Sequence, residues 1–401
     1  MKRTQYSSML AAALMPALLL VSSCDKEEVP AEKMVPAITS ISSLEAPKDA
    51  LITVTGKHFL LLDTPEVIIN NKSLSITRFT DDTLVVKIPK MLGSGKVILK
   101  VGEELYEGPV FNYQYTATVS TVAGNGTVGS ADGAGNEASF NNPWGITAAP
   151  NGDLFIADSY NRLIRKVKAG SHEVETIQLP VWFAGSEFYS PYNIALDHKT
   201  GDLFVTDFNQ HVLKITAAGD KTVIYTGPMA TTGIVVGSDG FVYVSNNTQG
   251  KILKMSTDGK SVQEFTGGLR TPRNLILDKK NTMFVSAVDG NTPAIFRVDQ
   301  TGTAVPVLKM PGFNGWEIAA DTLGNFYAAD YFNNTLRLIE PNGRMVTIAG
   351  NGTAADADGV GAGASFDGPK GITIDNDGNI YITTFNDTQK TGNKVRKIVV
   401  E

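Results

Sequence analysis

Aromatic side chains recur beside amide and carboxylate residues from position 144 onward in this 401-residue chain. Ring faces pack well on the apolar face of a sugar, and amides and carboxylates satisfy its hydroxyl groups. A few aromatic anchors among fixed polar groups are typical of small-ligand sites. Taken singly, each ring could instead pack inside the fold, but as a cluster they favour binding. The candidate ligand-binding residues are Trp144, Tyr160, Trp182, Tyr192, Phe208, Arg273, Trp316, Tyr331 and Phe332.

Residues suited to catalysis are sparse. The four histidines, at 58, 172, 198 and 211, do not occupy equivalent positions in the sequence repeats, and no Ser-His-Asp or Cys-His set can be identified in the sequence. Glu317 and Arg273 precede apolar strands and could serve chemistry or form a structural ion pair. We therefore predict no enzymatic activity, no cofactor and no metal site, with a lyase or hydrolase as the less favoured alternative.

Composition excludes several classes of protein. Lys and Arg total 35 against 41 Asp and Glu, for a net charge of −6, and no basic run could neutralise nucleic-acid phosphates. One cysteine excludes an internal disulfide and a thiolate metal centre. An apolar content of 42% with 39 glycines indicates a turn-rich β protein with a real core.

The N-terminus carries an export signal. Lys2 and Arg3 precede the apolar run 9–21, which is too short to span a bilayer. The run ends in Leu20-Val21-Ser22-Ser23-Cys24, which resembles a bacterial lipobox, although an ordinary signal peptide with an incidental cysteine is the alternative. We predict a signal peptide over 1–23, lipidation at Cys24 and a tether over 24–34.

The acidic run after the cysteine suggests where in the cell the protein is located. Asp25-Lys26-Glu27-Glu28 resembles the signal that sends Bacteroidota lipoproteins to the outer face of the outer membrane. The alternative is that these charges only keep the tether solvated.

Residues 35–114 read as a β-sandwich of about seven short strands separated by Gly, Asn and Asp turns. The segments 36–41, 52–59, 82–89 and 111–113 resemble the IPT/TIG branch of immunoglobulin-like domains. That resemblance implies a fold and no particular activity.

Residues 115–401 repeat one motif six times: an apolar strand, a Gly/Asp/Asn turn and a second apolar strand. The copies begin at residues 145, 193, 233, 274, 317 and 371, a period that suits four-stranded propeller blades. Asn142–Ile146, Asn151–Asn161 and Ile164–Val167 resemble NHL repeats, which implies a six-bladed propeller. In the third and fourth copies Ser245-Asn246 and Ser286-Ala287 depart from the family's Ala-Asp.

A duplicated segment predicts how the ring closes. Residues 121–127 recur 226 positions later as 347–353, where they form the last strand of the fifth copy and its exit loop. The first copy precedes all blades, and the sixth blade has only three strands of its own. We expect residues 118–123 to complete that blade, which removes exposed sheet edges.

These patterns together predict an all-β surface lipoprotein that acts as a monomer. The overall plan resembles the accessory glycan-binding lipoproteins of Bacteroidota polysaccharide uptake, which implies a glycan as ligand. The alternative partner is a surface protein, because NHL propellers often bind partners through one face.

Overall fold

The computed structural model describes residues 34–61, 65–179, 190–208, 210–227, 231–313, 315 and 317–401, with the backbone alone at Leu61 and Thr231. Within these ranges the structure is all-β, with two short 3-10 turns at Phe59–Leu61 and Gly361–Gly363. None of the helices in the described ranges has the length and apolar character needed to cross a bilayer. The predicted signal peptide, Cys24 and all of the tether before Met34 lie outside the described residues.

The N-terminal domain is a two-layered sandwich, as predicted. Its strands are β1 (Ala37–Ile41), β2 (Glu45–Ala46), β3 (Leu51–Lys57), β4 (Glu66–Ile69), β5 (Lys72–Phe79), β6 (Thr83–Lys87), β7 (Gly95–Val101) and β8 (Glu104–Tyr113). They pair in the order β1-β3-β6-β5-β4-β7-β8-β2. The first half of β5 pairs with β4 and the second half with β6, so this strand joins the two layers.

Alternation along the strands builds the sandwich core. Ile52 pairs with Val86 and Val54 with Leu84 across β3 and β6, and all four are buried. Because alternate strand residues point to the same face, this register places the four side chains together.

Six blades follow the sandwich, as the repeat period predicts. Blade 1 consists of β10 (Pro143–Ala148), β11 (Leu154–Asp158), β12 (Leu163–Val167) and β13 (Val174–Gln178), and blade 2 of β14 (Pro191–Leu196), β15 (Leu203–Asp207), β16 (His211–Ile215) and β17 (Lys221–Thr226). Blade 3 consists of β18 (Thr231–Val236), β19 (Phe241–Asn246), β20 (Lys251–Ser256) and β21 (Val262–Thr266), and blade 4 of β22 (Leu275–Leu277), β23 (Met283–Asp289), β24 (Thr292–Val298) and β25 (Ala304–Lys309). Blade 5 consists of β26 (Ile318–Ala320), β27 (Phe326–Asp330), β28 (Thr335–Ile339) and β29 (Met345–Ala349), and blade 6 of β31 (Pro369–Ile374), β32 (Ile380–Asn386) and β33 (Thr391–Val400) together with β9 (Ala117–Ala123).

The predicted closure is confirmed. Strand β9 pairs antiparallel with β33, from Ala117 opposite Val400 to Ala123 opposite Val395, and so forms the fourth strand of blade 6. A two-residue strand, β30 (Gly359–Val360), covers the other side of β9. The segment next to the sandwich thus seals the ring.

Two buried arginines organise the duplicated loops 124–143 and 350–369. The Arg165 guanidinium lies 2.7 Å from Asp132 and 3.1 Å from Asp158. Arg396 lies 2.9 Å from Asp356 and 2.8 Å from Asp358. Both arginines also donate to loop carbonyl groups. Forked donors match carboxylates and carbonyls well, so the loop residues Asp132, Asp356 and Asp358, together with Asp158 at the end of β11, serve as structural anchors.

The loops define two faces of the propeller. Loops between first and second strands, and between third and fourth strands, form what we call the sandwich-side face. The other loops form the far face. The sandwich docks on the first of these, where the Glu340 carboxylate, just after β28, accepts hydrogen bonds from the Ser94 N–H at 2.8 Å and the Tyr115 hydroxyl at 2.6 Å. Arg344 adds a bond to the Ser94 hydroxyl, so the sandwich lies against blade 5.

Candidate functional site

Three of the predicted aromatic residues meet on the far face. The Trp144 ring lies 4.4 Å from Tyr192 and 5.6 Å from Phe208, and Tyr192 lies 4.4 Å from Phe208. Trp144 and Tyr192 stand at the far ends of β10 and β14, the first strands of neighbouring blades, while Phe208 directly follows β15. Convergence of the strands therefore brings together residues 64 positions apart in sequence.

Exposure divides this cluster into a floor and a rim. Trp144 and Tyr192 are only 7% and 5% exposed, whereas Phe208 is 45% exposed. The buried rings form a packed floor rather than free stacking surfaces. An exposed docking role for Trp144 and Tyr192 is therefore corrected to a supporting one, because their faces are covered by neighbouring side chains.

A lysine at the centre of the cluster was not among the sequence candidates. Lys370 is 1% exposed, and its ammonium lies 4.1 Å from the Trp144 ring and 4.8 Å from the Phe385 ring. It donates to Asn142 Oδ1 at 2.8 Å and to Asp387 Oδ2 at 2.9 Å. Burial lowers the pKa of Lys370 to about 8, and the Asp387 carboxylate opposes that shift. The sequence feature that could have identified Lys370 is its place in the repeat. It directly precedes Gly371 in blade 6, just as Trp144 directly precedes Gly145 in the neighbouring blade 1.

The remaining described aromatic candidates extend the rim. Tyr160 is 49% exposed and lies 5.8 Å from Phe385, while Phe332 is 66% exposed and lies 4.8 Å from Tyr331. The Tyr331 hydroxyl donates to Asp387 at 3.0 Å, which links this pair to Lys370. Tyr160 and Phe332 thus lie exposed at the rim, and Asp387 links Tyr331 to the buried Lys370.

Arg273 lies within electrostatic range of Tyr192 in this cluster, and the two remaining candidates lie outside the described residues. Arg273 is half-buried; its guanidinium donates to the Gly315 carbonyl at 3.3 Å, and burial lowers its pKa. Trp182 and Trp316 fall outside the described residues. Among the histidines, His211 is buried and bonded to the Asp207 carboxylate at 2.7 Å, a structural arrangement at the start of β16.

A large concavity on the propeller axis was not predicted from the sequence. A cavity of about 660 Å³ follows the propeller axis and is lined by first strands together with first-to-second-strand loops. Because those loops belong to the sandwich-side face, the cavity opens there and not among the aromatic residues.

Six equivalent positions explain why the cavity is closed toward the far face. They hold Gly145, Asn193, Gly233, Asn274, Glu317 and Gly371. A Cβ at Gly145 would lie 2.6 Å from the Asn193 Cα, and one at Gly371 would lie 2.1 Å from the Trp144 carbonyl oxygen. Glycine therefore lets adjacent first strands converge. The three residues that are not glycine form the polar floor of the cavity.

Glu317 is the one ionisable member of that floor. It is 3% exposed, and its carboxylate accepts from the Asn193 amide at 2.9 Å and from the Ile372 N–H at 3.2 Å. Burial raises the pKa of Glu317 to about 8, against the effect of the Ile372 N–H. Its place directly before β26, the first and innermost strand of blade 5, puts it beside the axis.

Family models match both parts of the chain. Residues 36–118 match the IPT/TIG domain and residues 140–166 match the NHL repeat. A curated relative, Protein SUPPRESSOR OF QUENCHING 1, chloroplastic, of Arabidopsis thaliana, is 23% identical over 287 residues, which is 67% of this chain. The chain spans 26% of that relative's length.

Solved structures share the whole two-domain plan. A structural genomics protein of unknown function from Bacteroides thetaiotaomicron has a TM-score of 0.58 at 18% identity, covering 92% of this chain and 99% of its own. Auxiliary nutrient binding proteins from Bacteroides thetaiotaomicron and Bacteroides ovatus have TM-scores of 0.57 and 0.55, both at 18% identity; each covers 92% of this chain, and 98% and 99% of their own chains are covered. These likenesses show the fold.

Proposed function

We propose that this protein is an outer-membrane lipoprotein, facing the cell exterior, that binds a glycan on the far face of its propeller without catalysis. In this role it is accessory to polysaccharide uptake and acts as a monomer. Its lipid anchor is attached at Cys24.

The observation that carries the proposal is the far-face rim. Tyr160, Phe208 and Phe332 expose about half or more of their surfaces. The exposed side chain of Lys390 lies 5.5 Å from the Tyr160 ring, and Asp387 lies between Lys370 and Tyr331. Exposed rings beside fixed charged groups suit a ligand with apolar faces and many hydroxyls.

The position of the sandwich supports the direction of binding. It docks on the face opposite the aromatic rim, and the chain enters the sandwich at β1 after the proposed tether. A propeller held in this way presents its rim away from the anchor. Two Bacteroides structures of the same fold are named auxiliary nutrient binding proteins, which is consistent with a role in nutrient capture.

A polysaccharide screen by affinity gel electrophoresis tests the proposal, using the chain without residues 1–23 and with Cys24→Ser. Phe332→Ala is expected to weaken retention by the recognised glycan about tenfold, since a well-placed aromatic contact contributes roughly 1–2 kcal/mol. The matched control is Phe79→Ala, which removes an exposed phenylalanine from the sandwich.

Equal retention of both variants would contradict the proposed site. Failure of every glycan to be retained would favour the alternative function, binding of a surface protein. Cross-linking on intact cells with a photoreactive residue at position 332 would then identify that partner. Exposed aromatic residues also anchor protein interfaces, which is why this second function is retained.

The proposed anchor has its own test. Metabolic labelling with a palmitate analogue is expected to mark the wild-type chain and not Cys24→Ala. Protease treatment of intact cells is expected to degrade the wild-type protein. A labelled but protease-resistant protein would place the anchor in the membrane and the domain inside.

A further inference from the structure

We infer that the axial cavity is a second binding site, specific for a small organic cation whose ammonium group contacts Glu317. The inference concerns the sandwich-side face and is independent of glycan binding on the far face. It starts from the layering of the cavity.

The cavity has a polar floor, an apolar wall and a charged mouth. Its floor consists of Asn193, Asn274 and Glu317, and its wall includes Ile194, Ile234 and Ile372. At about 660 Å³ it lies within the range of small-molecule sites. All its lining residues come from the propeller, and the sandwich reaches the edge of the mouth, where Lys72 lies within electrostatic range of Asp321.

The floor offers a buried carboxylate, and the groups that contact it within the described part of the chain are uncharged. Both groups that contact Glu317, the Asn193 amide and the Ile372 N–H, are neutral donors. A carboxylate has about four acceptor positions, so roughly half of the hydrogen-bonding capacity of Glu317 remains for a ligand. A buried anion is costly unless a cation pairs with it, and an ammonium group would supply that charge.

The mouth favours the approach of cations. Five aspartates line it, at positions 197, 278, 321, 375 and 377, against Lys199, Lys279 and His198. Asp278, Asp321 and Asp375 are held in turns, where Oδ1 of each accepts backbone N–H groups. Asp197 is held in the same way, since its Oδ1 accepts the Lys199 N–H at 2.9 Å, and Asp377 is exposed at the outer edge. The mouth aspartates therefore contribute negative potential, and Glu317 is the carboxylate that lies on the floor as the contact group.

The apolar wall selects the rest of the ligand. Isoleucine side chains line the path between mouth and floor, so a fully hydrated inorganic cation would lose water without replacement. A hydrocarbon body carrying one amine satisfies both wall and floor. Benzylamine is a suitable probe, and benzyl alcohol is its neutral counterpart of similar shape.

Ligand titration by NMR at pH 8 tests the inference on the chain without residues 1–23. We expect wild-type protein to bind benzylamine at least tenfold more tightly than benzyl alcohol. Glu317→Gln is expected to remove that preference. The matched control, Asp377→Asn, removes one exposed charge at the mouth and should weaken benzylamine binding no more than about threefold.

A second variant keeps the test decisive if Glu317→Gln does not fold. Thr373→Phe adds a ring to the cavity wall without changing Glu317, and is expected to weaken benzylamine binding at least tenfold. Equal affinity for amine and alcohol, absence of amine binding to the wild type, or unchanged binding to Thr373→Phe would each overturn the inference.

Discussion

The two faces of the propeller treat buried charge in opposite ways. On the far face the Lys370 ammonium has rings, an amide and the Asp387 carboxylate around it, all supplied by the chain. At the axial floor, the described groups that bond to the Glu317 carboxyl group are neutral. Because burying an uncompensated charge is unfavourable, the first arrangement is complete as a charged pair, whereas the second avoids an unpaired charge by keeping its proton up to a pKa of about 8.

The largest expected difference between the Lys370 and Glu317 sites is in how each changes the free energy of unfolding with pH. Glu317 has a folded-state pKa of about 8 against an ordinary 4.5, so the unfolded chain loses that proton first and stability falls as pH rises from about 4.5 to about 8. For Lys370 the pKa is about 8 against 10.5, so its contribution rises with pH from about 8 to about 10.5.

Glu317→Gln should therefore gain stability relative to wild type by about 4 kcal/mol between pH 5 and pH 8.5. Chemical denaturation at a series of pH values measures this difference. A constant offset between the two proteins across that range would contradict the assignment of the buried carboxyl group.

Removing the far-face cation gives the next largest effect. Lys370→Met keeps most of the side-chain volume but deprives the buried Asn142 oxygen of its donor and the rings of their cation, and should cost about 3 kcal/mol of unfolding free energy. Lys390→Met is the control, because Lys390 is exposed beside the same rings and should change stability by less than about 0.5 kcal/mol. Equal losses would show that Lys370 is not a structural centre.

The smallest stability effect is expected at the rim. Phe332→Ala and Tyr160→Ala should each shift the unfolding free energy by less than about 0.5 kcal/mol, since roughly half or more of each side chain is in water. Thermal and urea unfolding measure this. A loss above about 1.5 kcal/mol would mean that these rings hold the rim together, and weakened glycan retention would then reflect folding.

Much of the architecture could be predicted because it is written as repeats. The spacing of Gly145, Asn193 and their counterparts predicts six blades, and the copy of residues 121–127 at 347–353 predicts which strand closes the ring. Because loops alternate between the two faces of an antiparallel blade, Trp144, Tyr192 and Phe208 lie on one face, where their rings meet. The period of the repeats indicates the order in which strands pair, and that order alone determines the number of blades and the strand that closes the ring.

Burial and charge pairing were harder to predict because they depend on neighbours in space. Trp144 and Tyr192 have the residue types of an exposed platform, but their contacts with Lys370 and Phe208 bury them. Arg165 and Arg396 resemble outward-facing basic residues of third strands, yet each is fully buried among loop aspartates. The axial cavity could not be predicted from the sequence, because its shape depends on where glycines let the first strands of neighbouring blades approach one another.

The seam between β9 and β33 has a consequence for synthesis. The ribosome produces β9 directly after the sandwich, and its partner emerges only after all the other blades. Until then β9 has an unpaired edge, and the growing chain is an open arc whose ends must find one another. Pairing between such distant segments is slow, so completion of the circle, rather than folding of any single blade, is expected to limit the rate of maturation.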